Sequence, residues 1–320
     1  ALSPQIDLAT DPRWNRFSGT MGEDTKLATD LARAYVDGFQ TSEKDNDSDG
    51  WGYESVNTMI KHWPGGGASE GGRDGHFGYG AYCIYPGNNF QTQLKPFTEG
   101  ALKLNGPTDK AAAVMPYYTI SFNQDTVNGE NVGNGYSKYI INDLLRETYG
   151  YDGVLCTDWA ITVDANSVDN NMAGKCWGVE KLNIAERHYK ALMAGMDQFG
   201  GNNEMAPIIE AYEIGIKEHG EVFMRQRFER SAVRLLKNIF RPGLFENPYL
   251  VVEESRKLVG SPDYMKAGYN AQVKSVVMVK NINKTLPIKK NLKVYVPKKY
   301  SPPGINWFGQ ATKESWSDAA

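Results

Sequence analysis

Asp158 closes the run Gly153-Val154-Leu155-Cys156-Thr157-Asp158-Trp159, where uncharged residues suited to a fully buried strand lead straight into an acid and a large aromatic ring. A parallel strand presents chemistry at its C-terminal end, so this carboxylate is a candidate nucleophile or base. Lys61-His62 ends another strand-like run and opens onto the glycine-rich loop Trp63-Pro64-Gly65-Gly66-Gly67. Burying a lysine is costly unless it meets an acid or a ligand oxygen, which ties Lys61 to a carboxylate or a polar ligand. Arg16 follows a short strand near the start, and Tyr118 ends the apolar run from Ala111. Cations gathered around Asp158 favour its ionised form, and an ionised acid is a nucleophile or a base.

These residues need elements that bring strand ends together. Leu27, Leu31, Tyr35 and Phe39 recur every four residues, which predicts a helix over 23–39 with that face on a sheet. Further helices are predicted over 94–104, 136–149 (closed by Gly150), 183–194, from Pro207, and over 222–240, where Phe228, Val233, Leu236 and Phe240 line one side. Buried strands are expected to end at Lys61-His62, near Tyr118, at Asp158 and over 196–199. Alternating strands and helices make an α/β protein with parallel strands. Because many strand ends carry polar or aromatic residues, a (β/α)8 TIM-like barrel is favoured over a doubly wound sheet; no GxGxxG or P-loop follows a strand. Arg241-Pro242-Gly243 ends the barrel domain at 1–243, with a linker over 244–262. A second α/β unit begins at 263–320, with a strand over 292–296.

Hydrophobic residues at 41% against 23% charged supply a real core. With 35 basic and 38 acidic residues the net charge is -3, and no basic stripe points to nucleic acid or an anionic membrane. No apolar run reaches membrane-span length. Cys83, Cys156 and Cys176 form no CxxC pair and read as core or loop thiols, and no cofactor is implied. The acidic loop over 43–50 begins like a calcium loop, but Val56 stands where the bidentate glutamate belongs, so it reads as a solvated insertion without metal. Trp14, Tyr118 and Trp159 offer apolar faces beside polar groups, a mixture that suits sugar rings.

The motifs Asp11-Pro12-Arg13-Trp14-Asn15-Arg16, Lys61-His62-Trp63-Pro64-Gly65, Val114-Met115-Pro116-Tyr117-Tyr118, Thr157-Asp158-Trp159, Ala194-Gly195-Met196-Asp197 and Gly243-Leu244-Phe245-Glu246-Asn247-Pro248-Tyr249 occur in an order that resembles glycoside hydrolase family 3, the β-glucosidase and β-xylosidase type. The resemblance implies a TIM-like barrel followed by an α/β sandwich domain, and cleavage of oligosaccharides or glycosides from the non-reducing end with retention through a glycosyl-enzyme intermediate. It places Asp158 on the nucleophile, Arg16, Lys61 and His62 on positions that hold sugar hydroxyls, Tyr118 near the nucleophile, and Trp159 on the stacking ring. An extracellular or periplasmic location is implied. Thr157 departs from the usual serine, and Gly66 from the acid common after Pro-Gly.

The family carries more sequence before the Asp-Pro-Arg-Trp motif, including an aspartate that grips the sugar, and a glutamate acid/base in a longer second domain, so a partial chain is expected here. Two alternatives follow. One is a non-catalytic carbohydrate-binding relative. The other resembles the family's N-acetylglucosaminidase branch, whose loop acid/base is an Asp-x-His; Asp74-Gly75-His76 has that form, although its spacing from Lys61-His62 differs.

Overall fold

The computed structural model describes all residues except 43–48, 168–169, 171–172, 289–290, 292, 294, 306–310 and 318–320, and it divides into two compact units, Ala1–Pro248 and Tyr249–Ala320. The calcium-loop-like stretch therefore lies mostly outside the described residues. In the first unit the strands are β1 (Met59–Trp63), β2 (Tyr82–Cys83), β3 (Ala113–Pro116), β4 (Ile120–Ser121) and β5 (Val154–Leu155). β1, β3 and β5 pair in parallel in that order, with Ile60 opposite Val114 and Val114 opposite Leu155. Parallel bridges extend the series on both sides, Gln5 to Lys61 and Cys156 to Gln198. Ile60, Val114 and Leu155 are wholly buried, as expected for parallel strands covered on both faces. β2 and β4 form a separate parallel pair. The strand expected over 196–199 is thus reduced to one bridge at Gln198.

Helix α1 (Thr25–Gln40) starts where the Asp24 carboxylate accepts the Leu27 N–H at 2.7 Å, an N-cap that satisfies an otherwise orphan donor. Its buried face is not the expected one. Ala28, Ala32 and Val36 are fully buried, whereas Leu27 and Leu31 are about half exposed. The helix α2 (Phe90–Lys95) runs on into a π-helical turn, Pro96–Ala101. There Gly100 comes so close that an added Cβ would lie 2.8 Å from the Thr29 carbonyl. Only a face of small residues permits that approach, so large side chains are turned to the flank. A π-helix spans Tyr139–Thr148 in place of the predicted α-helix.

α3 (Ile184–Ala194) opens with a capping box between Asn183 and Glu186. It buries Arg187 and His188 and leaves Ile184 partly exposed. α4 (Ala206–His219) has Pro207 in its first turn. α5 (Glu221–Phe240) also corrects the expectation: Val233, Leu236 and Phe240 are exposed, while Met224, Arg227 and Ser231 are buried. The cause is Asp197, whose side chain is wholly buried just after the strand-end segment at Met196. It takes Arg146 at 2.6 Å, Arg234 at 3.0 Å and the Ser231 hydroxyl at 2.7 Å, and it accepts the Leu155 N–H at 3.0 Å. A buried carboxylate must be paired, and this one turns the polar face of α5 inward.

The second unit contains α6 (Val252–Leu258), α7 (Pro262–Ser275) and the antiparallel pairs β6 (Lys299–Ser301) with β9 (Ser315–Ser317) and β7 (Gly304–Ile305) with β8 (Ala311–Thr312). None of its residues with a described burial is buried. Leu292 and Val294 of the strand predicted over 292–296 lie outside the described residues; Lys293, Tyr295 and Val296 belong to no strand.

Candidate active site

Asp158 lies three residues beyond β5 and is 7% exposed. One carboxylate oxygen, Oδ1, accepts the Trp159 N–H at 2.7 Å. The other, Oδ2, faces His62 Nε2 at 3.7 Å and has no hydrogen-bond partner among the described residues. The turn is fixed from beneath. Thr157 donates its N–H to the Gln198 carbonyl at 2.9 Å, and its hydroxyl accepts the Gly200 N–H at 2.9 Å. A hydroxyl is all that this bond needs, so threonine serves where serine is usual.

β1 delivers Lys61 and His62 to the same place. His62 is held by a carboxylate that the sequence reading passed over, Asp7, which is wholly buried. Asp7 Oδ2 accepts the His62 main-chain N–H at 3.1 Å and lies 2.9 Å from Nδ1, and Oδ1 accepts the Gly66 N–H at 2.5 Å. Burial opposes the charge on Asp7, yet His62, Gly66 and Arg16 outweigh it and hold its pKa below the usual carboxylate range. An ionised Asp7 can only accept, so Nδ1 carries the proton and Nε2 turns a lone pair toward Asp158. Gly66 has no room for the acid common in the family: an added Cβ would sit 2.7 Å from the Tyr117 ring and 3.1 Å from Asp7 Oδ1.

Burial, then the positive charge of Arg16, pushes the His62 pKa below its ordinary value, so the fold binds that proton more weakly than the unfolded chain does. Stability from this residue is full above the ordinary histidine value of about 6.5 and declines as pH falls through and below it. Thermal melting should therefore shift downward between about pH 7.5 and 5.5, and His62→Gln should flatten that dependence. An equally steep curve in the variant would remove His62 as the cause.

Arg16 stands at the head of a short 3-10 turn, Phe17–Gly19, with Nη2 3.3 Å from Gln5 Oε1 and the guanidinium 5.8 Å from the Tyr117 ring centre. Its Nη1 is buried without a hydrogen-bond partner among the described residues. Burial disfavours the charge, but Tyr117, Asp7, Asp74 and Asp158 raise the pKa above its usual value. Lys61 makes no ion pair among the described residues, and burial with the nearby Arg16 lowers its pKa against the pull of Asp158 and Asp7. Tyr118 is 3% exposed, and burial, then the charge of Asp158, drives its phenol pKa well above the ordinary value.

The loop after Gly67 returns to the site at Asp74 and His76, both buried. Asp74 collects the His76 N–H at 2.9 Å, His76 Nδ1 at 2.5 Å, the Trp14 indole N–H at 2.9 Å and the Tyr117 hydroxyl at 3.2 Å. Burial would raise its pKa, but His76 and Arg16 bring it down to about 2. His76 meets Tyr118 edge-on, with ring centres 4.8 Å apart. Trp14, expected to offer a sugar-binding face, is 1% exposed and acts as a donor to Asp74 instead. Trp159 is 40% exposed. Gly200 and Gly201 press against its ring, where a Cβ on Gly201 would lie 2.1 Å from Cδ1.

All these residues belong to the first unit. The sequence profile of the glycosyl hydrolase family 3 N terminal domain matches residues 1–237. A periplasmic β-glucosidase/β-xylosidase of Dickeya chrysanthemi is 38% identical over 314 residues, covering 92% of this chain and 44% of its own length. A probable β-glucosidase C of Aspergillus oryzae is 37% identical over 320 residues, covering 99% and 45%. Among solved structures, a β-glucosidase from Listeria innocua in complex with gluconolactone aligns with a TM-score of 0.68 at 25% identity, over 91% of this chain and 35% of that one. A β-glucosidase from Erythrobacter marinus gives 0.67 at 26%, over 90% and 34%. This chain spans less than half the length of these relatives. The ordered strand-end motifs and the match across nearly all of the first unit agree: the chain belongs to glycosyl hydrolase family 3.

Proposed function

We propose that this protein is a retaining exo-β-glycosidase that removes terminal β-D-glucosyl or related glycosyl residues from oligosaccharides. Asp158 is its nucleophile. The observation that carries the reading is Asp158 Oδ2, a buried acceptor, in the company of Arg16 Nη1, a buried donor, neither with a partner among the described residues. Buried polar atoms are normally paired within the protein, so both are matched by a polar ligand. His62 Nε2 and Asp158 Oδ2 lie side by side as two acceptors and suit hydroxyl donors, while Arg16 and Lys61 suit hydroxyl acceptors. Trp159 supplies a stacking face. In the reaction Oδ2 attacks the anomeric carbon, the aglycone oxygen leaves with a proton, and water then cleaves the glycosyl ester.

We assign no acid/base. Asp7 and Asp74, the other carboxylates gathered here, are saturated with donors and held ionised. The pairing of Asp74 with His76 Nδ1 is one in which a carboxylate orients a ring, and the β-glucosidase relatives favour reading it as a positioning pair. We further read the parallel series from Gln5 to Gln198 as five strand positions of a (β/α)8 barrel, with residues 1–243 as the catalytic domain, 244–262 as linker and 263–320 as the start of a second domain. The Dickeya relative's description supports substrates of the β-glucoside or β-xyloside class and a location in the periplasm or outside the cell.

Incubation of the protein with a 2-fluoro β-glycoside bearing a good leaving group tests the reading. A covalent glycosyl adduct on the peptide containing Asp158 is the expected result. Hydrolysis accompanied by label on another residue, or by none, would overturn the assignment of Asp158. Trp159→Ala should raise KM about tenfold with a smaller change in kcat, since stacking is worth roughly one kcal/mol beyond area burial. An unchanged KM would remove Trp159 from the site.

A further inference from the structure

Lys175 is a second buried lysine at this site that neither the motifs nor the pairing of strand ends reveals. It is 3% exposed and is grouped closely with Asp158, Tyr118, Tyr136 and Ile161. Its ammonium donates to the Ala173 carbonyl at 2.5 Å, stands 5.3 Å from the Tyr118 ring centre, and makes no ion pair among the described residues. Its backbone is tied to the turn that carries the nucleophile: the Lys175 N–H donates to the Ala160 carbonyl at 3.1 Å, and a Cβ on Gly174 would lie 2.0 Å from the Val163 carbonyl oxygen. The loop is thus tied to the residues just after Trp159, which keeps Lys175 in register with Asp158.

From this geometry we infer that Lys175 is the positioning residue that balances the nucleophile's charge and, through its cation–π contact, fixes Tyr118 beside it. The inference rests on Asp158 being the nucleophile. Three carboxylates, Asp7, Asp74 and Asp158, meet here, and the cations facing them are Arg16, Lys61 and Lys175, with His62 neutral. Tyr118 and Cys156, the other titratable neighbours of Asp158, are both pushed upward by burial and by its charge and stay protonated. Arg16 is shared among all three acids, and Lys61, which faces Asp158 and then Asp7, is weakened by Arg16 beside it. Lys175 faces Asp158 first and Asp74 second, and their charges oppose the burial that lowers its pKa. Without it the site holds three negative charges against two positive ones.

Coupling between two charged groups is reciprocal, so it can be read from either side and without turnover. In the protein labelled with 13C at lysine Cε, with the signal assigned by its loss in Lys175→Arg, the isosteric Asp158→Asn should lower the Lys175 titration midpoint by about one pH unit. Coincident midpoints in wild type and Asp158→Asn would overturn the proposal. On the kinetic side, Lys175→Met should move the acid limb of kcat/KM for an aryl glucoside upward by about one pH unit, and Lys175→Arg should leave it nearly in place. A lysine that only braces Ala173 would lower the melting temperature of Lys175→Met and move neither titration, which also overturns it. Absence of hydrolysis or of the 2-fluoro label would count against the glycosidase reading, and the Lys175 titration would still decide the coupling.

Discussion

Asp158→Asn should lower turnover of an aryl β-glucoside by at least about a thousandfold while leaving the fold and glucose binding measurable. The substitution keeps an oxygen that can accept the Trp159 N–H, now met at 2.7 Å by Oδ1. The group that replaces Oδ2 faces His62 Nε2, 3.7 Å away, and an amide N–H can donate there. The pocket therefore keeps its shape and loses only the Oδ2 lone pair and charge. A substrate with a good leaving group needs little acid assistance, so the loss reports on the attack itself. Asp158→Ala frees space on the same face, and azide entering there should form the glycosyl azide with inverted anomeric configuration. Residual turnover of Asp158→Asn within tenfold of wild type would contradict the assignment.

The parts of this site that could be read in the chain are those written as buried strands that stop at polar residues. Lys61-His62, Tyr118 and Asp158 each end an apolar run, and in the structure Lys61 and His62 sit on β1 while Tyr118 and Asp158 follow the neighbouring strands β3 and β5. Asp7 escaped because its role depends on His62 and Gly66, more than fifty positions away, and the local signal is only one carboxylate between Ile6 and Leu8. That signal was usable: an acid inside an apolar strand must find donors. Lys175 lies in an aperiodic loop, and nothing local distinguishes it from a solvated lysine. Trp14 was misjudged because an aromatic ring's type does not reveal whether its face is open or its N–H is committed, here to Asp74.

Helix faces failed for a related reason. Periodicity finds a helix, but the neighbour chooses which stripe is buried. On α1 the close approach of Gly100 selects Ala28, Ala32 and Val36 over the larger Leu27 and Leu31. On α5 the buried acid at 197 selects Arg227 and Ser231 over Val233 and Leu236. In both, the deciding residue lies on another element, beyond the reach of a pattern read along one helix.

The same acid underlies the largest effect on stability. Asp197→Ala should cost about 3–5 kcal/mol, because it strands buried arginines rather than merely deleting a contact. Arg146 and Arg227 are both buried against it, and burial already lowers the pKa of each, that of Arg227 to about 10. The substitution also leaves the Leu155 N–H of β5 without its acceptor side chain. For a unit of this size the loss corresponds to a melting temperature lower by roughly 6–20 °C. Asp197→Asn, which can still accept hydrogen bonds, should fall between the two. A shift below about 2 °C for the alanine variant would mean that water reaches the arginines and that the cluster is not desolvated. Because Asp197 is bonded to β5, which leads to Asp158, any variant that does fold should also show a raised KM, through a loosened β5 rather than through altered chemistry at the carboxylate.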